Sequence, residues 1–243
     1  MDPILSLLLG LLESTGVAGR PQSYFRVPDE RKWAERWRLP RTPDGGFAYA
    51  DYVDAARTAG RTGNGVFGAK LMWGTHEHLI TQLGRIHPDL AADPPALLRR
   101  VFGRTRFVQL RRTDELAQAV SWVRAEQTGT WFVGGHGEIS GRDGTERPPT
   151  YDADRITDVL RMIREHTAGW EQWFTAHGIQ PYPVRYEDLT HDLTGVTHAV
   201  LDSLGLARPA GQVVTARHER QRDQLNAEWI SRYRAGVSDS PID

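Results

Sequence analysis

Pro183-Val184-Arg185-Tyr186-Glu187-Asp188-Leu189 reads as a short buried strand running into an acidic turn. Phe107-Val108-Gln109-Leu110-Arg111-Arg112 has the same form, a β-prone apolar run closed by charge. Two segments of helical periodicity lie between them. Residues 114–128 carry Leu116, Val120 and Val123 on one face. Residues 152–176 carry an unbroken stripe of Ile156, Val159, Leu160, Ile163, Trp170, Trp173 and Phe174. Apolar strands alternating with helices pair in parallel, with both sheet faces covered. The expected fold class is therefore α/β, three layers with a central, mostly parallel sheet flanked by helices.

Outward from this centre, the run 65–72 is apolar and bounded by Gly63 and Gly74, which predicts another buried strand. Helices are expected over 5–12, 29–37, 49–58, 75–86 (capped by Thr75), 95–102, 194–204 and 224–234. Residues 134–149 are rich in Gly, Arg and acid and read as a mobile surface loop. No internal repeat or low-complexity segment emerges, and one domain spanning 1–243 suits the length.

Composition narrows the function. The formal net charge of −1 argues against a general nucleic-acid binder, though a local basic pocket fits within it. There are no cysteines, which excludes disulfides, thiolate metal sites and a cysteine nucleophile, and fits a cytoplasmic setting. The apolar run 4–12 is far shorter than the roughly 20 residues needed to span a bilayer, and it lacks a basic leader. No His, Asp or Glu cluster has metal-ligand spacing, so no metal site is expected.

In parallel sheets ligands bind at the carboxyl ends of the strands. Lys70, Arg111, Arg112 and Glu187 all fall there. Lys70 stands out because Lys32 is the only other lysine. It could neutralise charge on a transferring group, or simply snorkel from a strand end. Arg112, just before a helix, could clamp a phosphate bidentately with Ser121 two and a half turns along. The plainer reading pairs Arg112 with Asp114. Glu187 and Asp188, adjacent on a turn, read as structural hydrogen-bonding groups.

A strand ending in Arg112, followed by a helix bearing Gln118-Ala119-Val120-Ser121, resembles the 3′-phosphate motif of sulfotransferases. These enzymes use 3′-phosphoadenosine 5′-phosphosulfate (PAPS). Val184 to Leu189 looks like their recurrent strand-to-helix segment. More narrowly, the chain is similar to the bacterial trehalose 2-sulfotransferase family. The likeness is carried by Thr15-Gly16-Val17-Ala18-Gly19-Arg20-Pro21-Gln22, Gly68-Ala69-Lys70-Leu71-Met72-Trp73 and Gln118 to Ser121. Arg220-Gln221-Arg222-Asp223, Glu228-Trp229 and Arg232-Tyr233 complete the set. Singly these motifs are weak; together they span nearly the whole chain.

The resemblance implies a P-loop NTPase-like nucleotide fold and transfer of a sulfuryl group from PAPS to a hydroxyl of a small acceptor, a carbohydrate or natural product. Arg112 and Ser121 would hold the 3′-phosphate, Arg220 and Gln221 would lie over the nucleotide, and Lys70 would steady the transferring group. Gln22, Tyr24, Phe25 and Trp73 would face the acceptor. The family type uses no metal and suggests a homodimer. Two departures stand out. The family opens with a strand and a Ser-x-Arg-Ser-Gly-Ser-Thr loop, whereas here the place reads Met1-Asp2-Pro3-Ile4-Leu5-Ser6, with Ser6 alone keeping a hydroxyl. Either a start site placed too far downstream leaves out the first strand and loop, or residues 1–6 are a degraded form of that loop. The family's glutamate base after Pro-x is replaced by Ser23, leaving His76, His78 or Glu30 to take the proton. The other readings are a nucleotide-binding relative impaired in catalysis, a fragment of such an enzyme, or a scaffold using the helix 152–176.

Overall fold

The computed structural model describes residues 3–129, 148–208 and 224–238. The two strands read first from the sequence pair with each other. β1 (Val108–Arg111) and β2 (Tyr182–Arg185) run parallel, in a register that sets Val108 beside Tyr182 and Arg111 beside Arg185. Their strand ends, and the turns that follow, therefore lie side by side.

The crossover between them is helical, as the apolar periodicity requires. α6 (Glu115–Thr128) and α7 (Ala153–Ala176) begin at Asp114 and Asp152, whose carboxylates accept from the Ala117 and Arg155 amides. Such caps satisfy orphan first-turn donors. The stripes of α6 and α7 then pack together and are closed by Trp229 of α10 (Gln224–Ser238). On another side, α1 (Pro3–Ser14) and α9 (Leu193–Leu204) bury Leu8, Leu11, Val200 and Leu201 against Val184 and Leu189. The short α8 (Tyr186–His191) follows β2 directly.

A third cluster joins α2 (Val27–Arg36), α3 (Tyr49–Ala59), α4 (Trp73–Ile86) and α5 (Pro94–Phe102) around Tyr24, Phe25, Tyr52, Leu79, Leu83 and Leu97. Among the described residues the architecture is α/β, mostly helical, with a two-stranded parallel sheet. None of the described helices is long and apolar enough to cross a membrane.

Three expectations change. The strand over 65–72 is an extended segment that forms only isolated bridges, Phe67 with Arg61 and Ala69 with Gln22. It swaps partner within two residues because the chain at 18–21 crosses it at Gly19 and Gly68, which is too short a run for a ladder. A Cβ on Gly19, at φ +79°, would sit 2.2 Å from the Gly68 nitrogen, so only glycine permits the crossing. Thr75 does not cap α4; the helix begins two residues earlier and buries Thr75 in its first turn. A local repeat also emerges: Arg41-Thr42-Pro43-Asp44-Gly45-Gly46-Phe47 and Arg61-Thr62-Gly63-Asn64-Gly65-Val66-Phe67 each fold into a tight hairpin bridged from Arg to Phe. Residues 134–147 of the expected loop, and Arg220 with Gln221, lie outside the described residues.

Candidate active site

The carboxyl ends of β1 and β2 are tied together by Glu187. Its carboxylate accepts from the Thr113 amide at 3.0 Å and from the Thr113 hydroxyl at 3.2 Å. This holds the β1–α6 turn against the start of α8. Arg185 is occupied by Asp188 through two hydrogen bonds of 2.8 and 3.1 Å. Arg111 pairs with Glu171 of α7 at 2.7 Å. Arg112 differs. Its guanidinium lies over the Tyr186 ring, 5.0 Å from the centroid. It makes no ion pair among the described residues. Asp114, its plainest partner from sequence, instead caps α6 and lies 3.9 Å from Arg234.

Behind this edge lies a cavity of about 920 Å³, within the range usual for ligand sites. Its walls are the β1 strand, the extended segment after Asn64, α1, α6 and α7. Aliphatic and aromatic side chains make up much of the lining, and Lys70, Arg104, Arg106, Arg111, Arg112 and Arg185 add positive charge to it. Lys70 is 4% exposed and lines the cavity, and its backbone amide donates to the Gln22 carbonyl at 2.9 Å. Gln118 and Trp122 of α6 face the cavity. Ser121 is half-buried on the same helix and does not line it. Ser6 is the fourth residue of α1.

The acceptor-side candidates divide. Trp73 lines the cavity at the start of α4, beside Trp170 of α7, their rings edge to face at 5.3 Å. Gly169 lets them meet: a Cβ there would come within 2.5 Å of the Trp73 indole. Tyr24 is core, its ring against Trp33, Trp37 and Phe67 and its hydroxyl donating to the Arg20 carbonyl at 2.9 Å. Phe25 is only 1% exposed and meets the cavity from beneath. Gln22 reaches toward Glu13 at 3.5 Å, and half-buried Ser23 lies in the turn before α2, off the cavity wall.

His76 is 3% exposed, stacked on Trp73 at 5.7 Å and enclosed by Trp170 and Trp173. Neither ring nitrogen has a hydrogen-bond partner among the described residues. Burial, with a smaller push from His177, holds its pKa down to about 4, so the imidazole is neutral at pH 7. Glu30 is buried under a different arrangement. It accepts from the Tyr49 hydroxyl at 2.9 Å and contacts His78 Nε2 at 3.2 Å. Burial raises its pKa above the usual carboxylate range, while Tyr49 and His78 pull it back. The same burial, with the Glu30 charge, lifts Tyr49 well above the ordinary phenol range.

Reasoning from sequence missed the Arg112–Tyr186 stack and the Thr113–Glu187 tie. Both join residues more than 70 positions apart, and neither follows from local spacing. Helical spacing with Trp173 and Phe174 puts Trp170 in the apolar stripe of α7. The structure gives it a cavity-facing edge as well.

Residues 5–236 match the family model described as Stf0 sulphotransferase. The chain is 36% identical over 253 residues to the trehalose 2-sulfotransferase of Mycobacterium tuberculosis (strain ATCC 35801 / TMC 107 / Erdman), covering 95% of this chain and 90% of that protein. It is 35% identical over 254 residues to the trehalose 2-sulfotransferase of Mycolicibacterium smegmatis (strain ATCC 700084 / mc(2)155), covering 94% and 90%. The matched region takes in both strands, the Glu187 tie, Lys70 and Arg112, and the chain belongs to the Stf0 sulphotransferase family.

Proposed function

We propose that this sulfotransferase accepts its sulfuryl group from PAPS at the carboxyl ends of β1 and β2 and delivers it to a hydroxyl of a small carbohydrate. Both relatives are named for trehalose, which makes that disaccharide the first acceptor to try. The observation that carries the reading is Arg112. It is a cation with no carboxylate partner among the described residues, set on Tyr186 beside a turn that Glu187 pins in place. A guanidinium so placed fits a phosphate, and the α6 amides lie next to it. Ser121, Arg220 and Gln221 join the donor site in this reading.

The donor supplies a sulfuryl group whose transfer, like that of a phosphoryl group, spreads charge over equatorial oxygens. The chain's part is electrostatic and positional. Lys70, buried in the cavity wall, brings positive charge to where that charge develops. Trp73 and Trp170 offer aromatic faces to a sugar ring. His76, neutral and without a hydrogen-bond partner among the described residues, is stacked behind Trp73 and off the cavity wall, so it takes the acceptor's proton only when the Trp73 ring moves aside. A parallel-stranded nucleotide fold of the P-loop kind, a single domain and a cytoplasmic setting complete the proposal. The absence of cysteine fits that setting.

Calorimetric titration with 3′-phosphoadenosine 5′-phosphate tests it. Arg112→Ala should weaken binding roughly 30- to 150-fold, the equivalent of about 2–3 kcal/mol for charged hydrogen bonds. Folding should hardly change, since an exposed stack on Tyr186 contributes only about 0.5–1 kcal/mol. Equal affinity in wild type and variant would remove Arg112 from the donor site.

A further inference from the structure

Few side chains on the cavity wall can take a proton from an acceptor. Among the described residues that line it, Glu115 is the only carboxylate and His166 the only histidine. Glu115 is engaged by Arg164 of α7 at 3.0 Å. The other candidates stand off the wall. His76 lies behind Trp73, His78 contacts buried Glu30, and Ser23 sits in the turn before α2.

His166 lies at the height of the strand ends. Arg111, the last residue of β1, pairs with Glu171 at 2.7 Å, and Glu115, the first of α6, pairs with Arg164. These two ties carry the stretch 164–171 of α7 past the carboxyl end of β1, and His166 falls inside it. Trp170 follows one turn later on the same face of the helix, and both side chains reach the cavity. The His166 imidazole is half-buried and makes no hydrogen bond, ion pair or ring contact with any described residue. Its neighbour Thr167 differs, for its hydroxyl donates back to the Ile163 carbonyl at 2.9 Å. An unengaged polar group beside aromatic rings is the usual composition of a small-molecule site, where the rings give contact area and the polar group orients the ligand.

We propose that His166 is a catalytic residue of the transfer, taking the proton of the acceptor hydroxyl while the sugar lies against Trp73 and Trp170. The inference rests on the sulfotransfer reading given above. Histidine is the side chain most often used for proton transfer near neutral pH. As the acceptor oxygen bonds to sulfur, the unprotonated ring nitrogen of His166 takes up the hydroxyl proton. The bond between sulfur and the oxygen of the donor's 5′-phosphate breaks, and its electron pair leaves with that phosphate. The imidazolium then returns its proton to water, and the sulfate ester departs. His166 acts with Trp73 in place, whereas His76 needs that ring displaced.

Three readouts test this, with PAPS, 3′-phosphoadenosine 5′-phosphate and trehalose as the probes. His166→Ala should lower turnover of trehalose about 10²- to 10⁴-fold, the usual contribution of a general base, with the affinity for the bisphosphate unchanged. Imidazole added to the buffer should restore part of that rate, since the truncation leaves room for it in the cavity wall. A purely structural role would not respond to it. In the wild-type protein bound to the bisphosphate, trehalose should shift the imidazole NMR signal of His166, identified by its loss in His166→Asn. Full turnover in His166→Ala, or a rate loss that imidazole leaves untouched, overturns the proposal. Loss of turnover confined to His76→Phe does the same. An unmoved His166 signal overturns it even where no turnover is measured, and that readout needs no variant to stay folded. Failure of the wild type to bind the bisphosphate sinks the donor reading as well, an outcome read separately from the His166 signals.

Discussion

Replacing Gly169 by alanine sets two effects of opposite sign against each other in the middle of α7. Alanine gains about 1 kcal/mol over glycine in a helix interior, chiefly by restricting the unfolded chain. Its Cβ, however, would lie 2.5 Å from Trp73 Cε2, 2.7 Å from Cζ2 and 2.9 Å from Cδ2. Carbon atoms sit comfortably at about 3.5–4.0 Å, so the indole must withdraw by about 1 Å. It has little room. One face stacks on His76 at 5.7 Å and 14°, and Trp170 stands against it at 5.3 Å. Overpacking of this kind costs about 1–3 kcal/mol, enough to cancel the helix gain and in most of that range exceed it. The expected net loss is about 1 kcal/mol, or some 2–4 °C in Tm for a chain of this size. Urea denaturation followed by far-ultraviolet circular dichroism measures it. A variant more stable by the full helix gain would refute the reasoning and show that Trp73 is not locked in place.

Three further outcomes follow from the same geometry. His76 is held at about 4 against an ordinary 6.5, so the unfolded chain takes up its proton first as pH falls. Its contribution to stability is therefore complete above pH ~6.5 and lost towards ~4, about 3 kcal/mol over the window. His76→Phe should flatten that acid limb and, if the imidazole takes the acceptor's proton, cut turnover while leaving nucleotide affinity intact. Tyr49→Phe deletes the hydroxyl that donates to buried Glu30 and should cost about 1–2 kcal/mol, read from the urea midpoint. No loss there would mean that water replaces the phenol. Asp152→Ala removes the α7 cap at 2.8 Å from the Arg155 amide and should cost about 1 kcal/mol, with an unchanged midpoint counting against the cap.

Much of this fold was legible because its signals are local. The stripe from Ile156 to Phe174 predicts α7 to within a residue, since an apolar face recurring every 3.6 residues is the signature of a helix packed along one side. The runs at 107–111 and 182–186 likewise declare strands, but the structure leaves them half-buried, with Val184 alone fully covered among their residues. The segment 65–72 has the same apolar character, yet its ladder is interrupted by a glycine crossing that composition does not reveal. In the site, topology alone puts Lys70 and Arg112 at strand ends, and both line the cavity. Tyr24 and Phe25 show the limit of that approach. Aromatic residues near a loop look alike in sequence whether they face solvent or, as here, fill a core. Long-range partners such as Tyr186 and Glu187 belong to the packing, and no spacing rule reaches them.

The aromatic cage around His76 also makes the protein its own optical instrument. Trp73 and Trp170 border the cavity, whereas Trp173 stands behind them, in contact with His76, Phe107 and His177. Indole emission responds to the polarity and motion of its immediate surroundings. A sugar settling at the cavity wall would reach the first two rings directly and the third only through its neighbours. The intrinsic emission of this cluster can therefore follow acceptor binding in the unlabelled protein, and replacing Trp73 or Trp170 by phenylalanine separates the contribution of each cavity-bordering ring from that of Trp173.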